Sequence, residues 1–225
     1  MERHFEHDLQ ELTAAVQRMG GLVEQAISRS VEALNGRDDR VAAEVIRADE
    51  EIDRLELEID ERAMTLLARY QLAAGDLRFV TTVLKITPSL ERIGDYAANI
   101  GERAIELGKE PPSRRLVDIP LMARRAQEML RGALDAFGSR DTASARAVIA
   151  MDDELDQRLE QIFRVLLSHM IEDPRTITRA LRLTFVAKLF ERIGDQATNI
   201  CEMIVYMTEG QVIRHRGPAE QAPTP

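Results

Sequence analysis

Apolar residues recur along the first half of the chain at alternating intervals of four and three positions. In the first segment they fall at Phe5, Leu9, Leu12, Val16, Met19, Val23 and Ala26. This spacing places them on one side of an α-helix, because a helical turn takes about 3.6 residues. The pattern returns from Val41 to Leu66 and, most regularly, from Phe79 to Leu107. The first half is therefore predicted to contain three long amphipathic helices.

Short segments rich in Gly, Asp and Pro interrupt these patterns. Asn35-Gly36 followed by Asp38-Asp39 predicts a helix end and a new N-cap. The second helix is expected to run to about Leu72, and 74–76 (Ala-Gly-Asp) predicts the break before a third helix that ends near Gly108. Consecutive prolines at 111–112 cannot continue a helix, so that 109–118 is predicted to be a linker.

Three further helical patterns follow the linker, at about 120–137, 141–171 and 174–209. Gly138-Ser139 and Asp173-Pro174 are expected to separate them. Residues 1–108 and 119–209 would then each form a bundle of three helices. The remaining residues, 210–225, contain too few apolar side chains to pack, and we expect them to be disordered.

A ten-residue segment occurs twice in the chain, one hundred positions apart. Residues 91–100 (ERIGDYAANI) and 191–200 (ERIGDQATNI) are identical at eight of ten positions. A second echo relates 49–53 (DEEID) to 152–156 (DDELD), one helix earlier in each half. Two echoes in the same order indicate an internal duplication. The predicted fold is therefore all-α, with two tandem, pseudo-symmetric three-helix bundles.

Composition supports the helical prediction and excludes several classes of protein. Only 4% of the residues are aromatic and Trp is absent, which is typical of long helices. The net charge of −9 disfavours binding to nucleic acid, which needs clustered basic residues, whereas here basic and acidic residues are interleaved. The N-terminal residues have no apolar signal region, and no stretch approaches the roughly 18 apolar residues of a spanning helix. The single cysteine, Cys201, excludes an internal disulfide and suits a reducing compartment, so we expect a cytoplasmic protein.

Acidic and amide side chains form ladders on the helices that carry the two echoes. At about 100° per residue, four side chains of the third helix share one narrow arc: Glu91, Asp95, Asn99 and Glu102. The sixth helix repeats this arc with Glu191, Asp195, Asn199 and Glu202. A stripe on the second helix contains Asp49, Asp53, Glu56 and Asp60, and Asp152 and Asp156 are its counterparts on the fifth. Each half is thus predicted to carry two acidic ladders on adjacent helices.

The ladders have two interpretations. Charges opposite a core can simply be the solvated face of a helix. However, carboxylates four positions apart repel each other by a few tenths of a kcal/mol, and Asn99 and Asn199 add neutral oxygen ligands rather than charge. Hard cations bind to several carboxylate and amide oxygens at once. We therefore predict a surface site in each half for one or several divalent or trivalent metal ions, with the choice open among Fe, Zn, Mn, Mg and Ca.

Gly94 and Gly194 lie inside predicted helices, where each costs roughly 1 kcal/mol relative to Ala. We interpret them as positions of close helix packing rather than as metal ligands.

The doubled Glu-Arg-Ile-Gly-Asp segments, the Asp-x-x-x-Asp echoes and the opening Arg3-His4-Phe5-Glu6 resemble the PhoU family of phosphate-transport accessory proteins. The resemblance covers about residues 1 to 210. The chain departs from the family pattern in having Gln196 and Lys188 where His and Arg are expected.

Membership of the PhoU family would imply a regulatory protein rather than an enzyme. The resemblance implies that carboxylate motifs bind metal, with Asp49, Asp53, Glu91 and Asp95 in the first half. It implies Asp152, Asp156, Glu191 and Asp195 in the second half, with Asn99, Asn199, Glu102 and Glu202 as further ligands. The implied partners are the ATPase of the phosphate ABC transporter and the phosphate-sensing histidine kinase. The protein would be a homodimer that represses the phosphate regulon and reaches the membrane only through these partners.

Three other functions are considered from the residues. A carboxylate-bridged metal enzyme would use Glu-x-x-His motifs, and the sequence contains none. A phosphotransfer bundle would use a histidine on a helix face, for which His4, His7 and His169 are available. A helical scaffold without functional metal differs from the favoured prediction only in whether the ladders bind ions. No phosphate-binding loop, dinucleotide turn or nucleophile elbow is present in the sequence.

Overall fold

The computed structural model of the chain describes residues 2–110 and 118–213. This part of the chain contains α-helices and one turn of 3-10 helix, and no strand. The helices are α1 (Glu2–Gly36), α2 (Asp39–Arg69), α3 (Ala74–Gly108), α4 (Ile119–Ser139), α5 (Thr142–Ile149), α6 (Asp152–Glu172) and α7 (Ile177–Glu209), with the 3-10 turn at Pro174–Thr176. The all-α prediction is confirmed, although the expected count of six helices is wrong.

The first three helices follow the predicted stripes, but two of their ends differ. The left-handed residue that ends α1 is Arg37 (φ 54°) rather than Gly36, and Asp38 then caps α2 by accepting from the backbone N–H of Arg40 at 2.9 Å. Helix α2 ends at Arg69 instead of Leu72, because Tyr70 adopts an extended conformation and donates its hydroxyl to Asp8 at 2.8 Å. The predicted break at 74–76 is therefore the first turn of α3.

The predicted fifth helix, 141–171, is divided into α5 and α6. Its residues 150–151 form a turn in which the N–H of Met151 bonds the carbonyl of Val148 at 2.9 Å. Helix α6 consequently begins at Asp152 and has three acids in its first turn, where the positive end of the helix dipole stabilises them. Gly138-Ser139 was also wrong as a separator, because α4 continues to Ser139 and ends at the left-handed Arg140 (φ 55°).

The linker and the C-terminal segment are only partly described. Residues 111–117 of the predicted linker and 214–225 of the segment predicted to be disordered lie outside the described residues. The last described residue, Ile213, is 7% exposed and packs with the core.

One hydrophobic core joins the two repeats. Helices α1, α2 and α3 pack against one another in the first repeat, and α4, α5 and α6 pack around α7 in the second. The largest contact between repeats is that of α3 with α7, so that apolar side chains of both halves belong to one continuous cluster. None of the described helices is both long and apolar enough to cross a membrane.

Helices α3 and α7 run antiparallel to each other. The guanidinium of Arg78, near the start of α3, bonds the carbonyl of Met207, near the end of α7. At the opposite end, Arg182 donates to Glu106 at 2.9 Å. Because α3 and α7 are equivalent helices of the two repeats, the pair has an approximate two-fold axis between them.

Candidate metal centres

A close approach of helices creates the first cluster of carboxylates. A Cβ atom built on Gly94 would lie 2.9 Å from Ile52 Cδ1 and 3.1 Å from Asp49 Oδ1. The absence of a side chain at Gly94 therefore allows α2 to pack directly on α3 and brings Asp49 against the acidic ladder of α3. Gly194 has the same role in the second repeat, since its Cβ would lie 2.4 Å from Leu155 Cδ2 of α6. The prediction that both glycines serve close packing is confirmed.

The first cluster joins Asp49 and Asp53 of α2 with Glu91 and Asp95 of α3. Burial, followed by the charges of Asp95, Glu56, Asp53 and Asp49 in that order of effect, raises the pKa of Glu91 to about 7. Burial, the charge of Asp95 and a hydrogen bond between their carboxyl groups raise the pKa of Asp49 to about 6. These four predicted site residues thus share one electrostatic environment, in which their negative charges repel.

The second cluster joins Asp152 and Asp156 of α6 with Glu191 and Asp195 of α7. Burial, followed by the charges of Asp195, Asp156 and Glu191, raises the pKa of Asp152 to about 6. Burial and the charge of Glu191 likewise raise the pKa of Asp195. The duplication predicted from the sequence therefore extends to the geometry of the acidic groups.

The two clusters differ in their counter-charges. Lys188 Nζ contacts the carboxylate of Glu191, a side chain that is 10% exposed. The residue at the equivalent position of the first repeat is Pro88, which carries no charge. The second cluster thus contains an internal cation, Lys188, that partly neutralises its carboxylates. The first cluster has no cation at the equivalent position, Pro88.

The donor set of both clusters fits a hard cation. Four buried carboxylate oxygens have no hydrogen-bond partner in the described part of the chain, and three of them belong to the clusters: Asp49 Oδ1, Asp152 Oδ1 and Glu191 Oε2, the fourth being Asp60 Oδ1 of α2. Unpaired buried oxygens are costly, and a bound cation would satisfy them. Among residues 2–110 and 118–213, no three acidic, His or Cys side chains converge closely enough to form a ready cage for one ion. The carboxylates would therefore have to change their side-chain conformations to bind one cation together.

The four supplementary residues have other surroundings. Glu102 is exposed and lies 3.7 Å from the guanidinium of Arg103, and Asn99 donates its amide to the backbone carbonyl of Asp95 at 2.8 Å. Asn99 and Asn199 both line a groove between α3 and α7. Glu202 lies beside Cys201, where its charge contributes to the raised pKa of the thiol. None of these four side chains is among the groups that shift the pKa of Glu91 or Asp152.

Two residues outside the predicted ligand set belong to the clusters. Glu56 raises the pKa of Glu91, and burial and the charges of Asp60 and Asp53 raise its own pKa. Its place on the acidic stripe of the second helix was the signal that could have identified it. The hydroxyl of Thr198 lies close enough to Asp152 to oppose the rise in the pKa of this carboxyl, although Thr198 Oγ1 has no hydrogen-bond partner among the described residues, and no spacing argument singled it out.

Comparison with known proteins identifies relatives over nearly the whole chain. The family model described as "PhoU domain" matches residues 16–104 and again 119–204, one match for each repeat. The phosphate-specific transport system accessory protein PhoU homolog of Aquifex aeolicus is 42% identical over 209 residues, which are 93% of this chain and 95% of that protein. The PhoU protein of Escherichia coli is 38% identical over 216 residues, which cover 96% of this chain and 90% of its own.

Solved structures give the same result. The crystal structure of PhoU from Pseudomonas aeruginosa matches with a TM-score of 0.89 at 38% identity and covers 92% of this chain and 100% of that chain. The phosphate transport system regulatory protein PhoU from Streptococcus pneumoniae matches with a TM-score of 0.84 at 26% identity, covering 93% and 99%. The predicted arrangement of two similar helical repeats is thereby confirmed.

Proposed function

Because the chain belongs to the PhoU family, we propose that it is an accessory protein of phosphate-specific transport and a negative regulator of the phosphate regulon. The observation that carries the proposal is the pair of repeated carboxylate clusters in a chain whose relatives are accessory proteins of that transport system. In this proposal the protein is not an enzyme. It acts through contacts with other proteins.

Metal ions would be held by four carboxylates in each repeat. In the first repeat these are Asp49, Asp53, Glu91 and Asp95, with Glu56 beside them, and in the second they are Asp152, Asp156, Glu191 and Asp195. Burial and, after it, repulsion between carboxylates raise the pKa of Glu91 and Asp152, and a bound cation would offset the repulsion by supplying positive charge between the two helices. The metal would thus fix α2 against α3 and α6 against α7.

The second cluster also supports an alternative function as a helical scaffold. Its Lys188 already neutralises Glu191, and an internal ion pair can replace a metal ion. Titrating Mn²⁺ into chelator-treated protein distinguishes the two functions. Metal binding predicts a rise in melting temperature that Glu91→Gln diminishes, whereas a scaffold without metal predicts no rise.

The proposed partners are the ATPase subunit of the phosphate ABC transporter and the phosphate-sensing histidine kinase. The chain would work as a cytoplasmic homodimer and reach the inner membrane only through these contacts. Transient signalling contacts of this kind bury modest areas. A pull-down from phosphate-replete cells tests the partners, and light scattering of the purified chain tests the dimer.

The regulatory role is tested by deleting the gene and measuring phosphate-regulon output in high phosphate. We expect the deletion strain to express the phosphate regulon constitutively, and we expect the wild-type chain, supplied in trans, to restore repression. Complementation with the double variant Glu91→Gln and Asp95→Asn then shows whether metal is needed, with Glu51→Gln, an exposed carboxylate of α2, as the matched control. Unchanged repression in the deletion strain would exclude the proposed role.

A further inference from the structure

A groove follows the line along which α3 and α7 pack, and it borders the second carboxylate cluster at Lys188, which contacts Glu191. It consists of two adjacent cavities. The first cavity, of about 330 Å³, is lined by five polar side chains and by Pro88 and Met203; the polar ones are Lys85, Ser89, Arg92, Gln196 and Asn199. The second, of about 380 Å³, is lined by Tyr96, Asn99, Arg103, Lys188 and Arg192 and by the apolar side chains of Phe185 and Leu189.

The two cavities are related by the approximate two-fold axis of the helix pair. Lys85 to Arg92 of α3 face 196–203 of α7 in the first cavity, and 96–103 of α3 face 185–192 of α7 in the second. Every lining position of one cavity therefore has its equivalent one hundred positions away in the other. The cavities are copies of one ancestral pocket, and differences between them show what has changed since the duplication.

The groove is positively charged although the protein is acidic. Neither cavity has a carboxylate among its lining residues, whereas together they contain five Lys or Arg residues: Lys85, Arg92, Arg103, Lys188 and Arg192. The carboxylates of the clusters lie elsewhere, because Glu91 is beside acids of α2, and Glu191 and Asp195 are beside Asp152 of α6. A concave, polar surface with cations alone is suited to an anion.

The cations of the second cavity already have partners within the chain. Lys188 pairs with Glu191, and Arg103 pairs with Glu106 at 2.9 Å. The guanidinium of Arg192 lies 6.0 Å from the ring centroid of Tyr96, which is a cation–π contact. This cavity therefore has little unbalanced charge to offer a ligand.

The first cavity retains its positive charge. Neither Lys85 nor Arg92 lies within salt-bridge distance of a carboxylate among residues 2–110 and 118–213. The charge of Arg92 acts on Glu56 from a greater distance, where it opposes the rise in the pKa of that carboxyl, and Lys85 lies over the ring of Tyr206 at 5.2 Å. Where Tyr96 stacks on Arg192, the first cavity has Gln196, which provides no ring for Arg92. Gln196, which also departs from the residue expected in the family pattern, thus leaves the guanidinium of Arg92 available to a ligand.

Gln196 also supplies an unused hydrogen-bonding group. Its side chain is only 8% exposed, and its Oε1 has no hydrogen-bond partner among the described residues. An unpaired buried acceptor is unfavourable unless a ligand donates to it. A ligand that satisfies this cavity is therefore an anion that also carries an O–H group.

We propose that the first cavity binds a small protonated oxyanion of the inorganic phosphate class. Lys85 and Arg92 would neutralise its charge, the amide of Asn199 and the hydroxyl of Ser89 would donate to its oxygens, and Gln196 Oε1 would accept its O–H. Phosphate keeps a proton at neutral pH, whereas sulfate has none, so that the buried acceptor favours phosphate. This activity goes beyond the proposed function, because neither metal binding nor docking to partners requires it.

The test is equilibrium dialysis of the full chain with radiolabelled inorganic phosphate at pH 7, at constant ionic strength, after removal of metal with chelator. We expect one site per chain. Arg92→Gln and Lys85→Gln should each weaken binding about tenfold or more, because each removes one charge-assisted contact. Arg40→Gln, which makes the same charge change at an exposed position at the start of α2, should leave binding unchanged. Arg192→Gln in the second cavity should also have no effect.

Competition identifies the ligand class and the role of Gln196. Sulfate should displace phosphate at least about tenfold less well from the wild type, and Gln196→Met should remove that preference by taking away the acceptor. A nucleotide that competes through Arg92 better than phosphate does would support the oxyanion site and identify the source of the phosphate group. The proposal is overturned if the wild type does not bind phosphate, if binding disappears with the metal, or if Arg40→Gln weakens it as much as Arg92→Gln. Because repression is measured in cells and binding on the purified chain, each of the two proposals can fail alone.

Discussion

Replacing Glu91 with Gln should stabilise the metal-free protein at alkaline pH. The pKa of Glu91 rises from an ordinary 4.5 to about 7 in the folded protein, because burial and neighbouring carboxylates oppose its ionisation. A group whose pKa is raised by folding binds its proton more tightly in the folded state. Its contribution to stability is therefore fully present below about pH 4.5 and is lost as the pH rises through about 7. Gln cannot ionise and avoids this loss.

The size of the effect follows from the shift. A pKa rise from 4.5 to about 7 corresponds to a change of about 3 kcal/mol in the free energy of unfolding, at about 1.36 kcal/mol for each unit of pKa. Because the side chain is partly exposed, solvent screening reduces this value, and we expect a gain of about 1.5 kcal/mol at pH 8. For a chain of this size the gain corresponds to a rise of about 3–6 °C in melting temperature.

Urea denaturation in the presence of chelator, at pH 4 and pH 8, measures the effect. The variant should be more stable than the wild type at pH 8 and similar to it at pH 4, and Glu51→Gln should change little at either pH. Added Mn²⁺ at about 100 times its Kd should stabilise the wild type by about 2.7 kcal/mol and the variant by less. A loss of several kcal/mol in the chelated variant at both pH values would mean that Glu91 is a structural residue, and it would refute this reasoning.

Three further predictions concern packing, capping and the second cluster. Gly94→Ala should destabilise the protein by about 1–3 kcal/mol in thermal denaturation, because the new methyl group would contact Ile52, and it should weaken metal binding by displacing α2. The control Gly21→Ala has open space around its Cβ and should be neutral or stabilising. Asp38→Ala should cost about 1 kcal/mol in urea denaturation, because α2 loses its N-cap; an unchanged midpoint would contradict the capping role. Lys188→Gln should tighten Mn²⁺ binding at the second cluster, because the substitution removes a cation that competes for Glu191. Calorimetry measures this in a protein that also carries Glu91→Gln, which weakens the first cluster. Weaker binding would show that the ammonium of Lys188 helps to form the site.

Much of the fold could be predicted because it depends on local spacing. The apolar stripes of the first three helices and the two echoes identify the helical repeats, since each repeat buries one face of each helix. The two acidic ladders of a repeat were predicted to lie on adjacent helices, and Gly94 shows why they meet: a missing side chain lets Asp49 approach α3.

The break between α5 and α6 could not be predicted in the same way. Neither Gly nor Pro occurs at 149–152, so that no residue there forbids a continuous helix. The helix ends are also decided by local geometry that composition does not specify: Arg37 and Arg140, rather than the neighbouring glycines, adopt the left-handed conformation.

The groove between α3 and α7 depends on contacts between residues about one hundred positions apart. In the sequence its basic residues alternate with acids, and this alternation suggested that no basic surface exists. The antiparallel packing of two helices selects only the basic side of each, and thus collects charge that linear spacing had dispersed.

The antiparallel contact of α3 with α7 also bears on how the two repeats could diverge from each other. Two separate copies of a single-repeat ancestor would make the same contact in a homodimer. Each mutation in the ancestral gene would then change both equivalent positions of the dimer. Fusion of the copies into one gene ended this linkage. Tyr96 and Gln196, or Pro88 and Lys188, could then change independently. The cations of the second cavity could then acquire ion-pair partners while Lys85 and Arg92 of the first stayed without one among the described residues, a difference that a symmetric ancestor could not have shown.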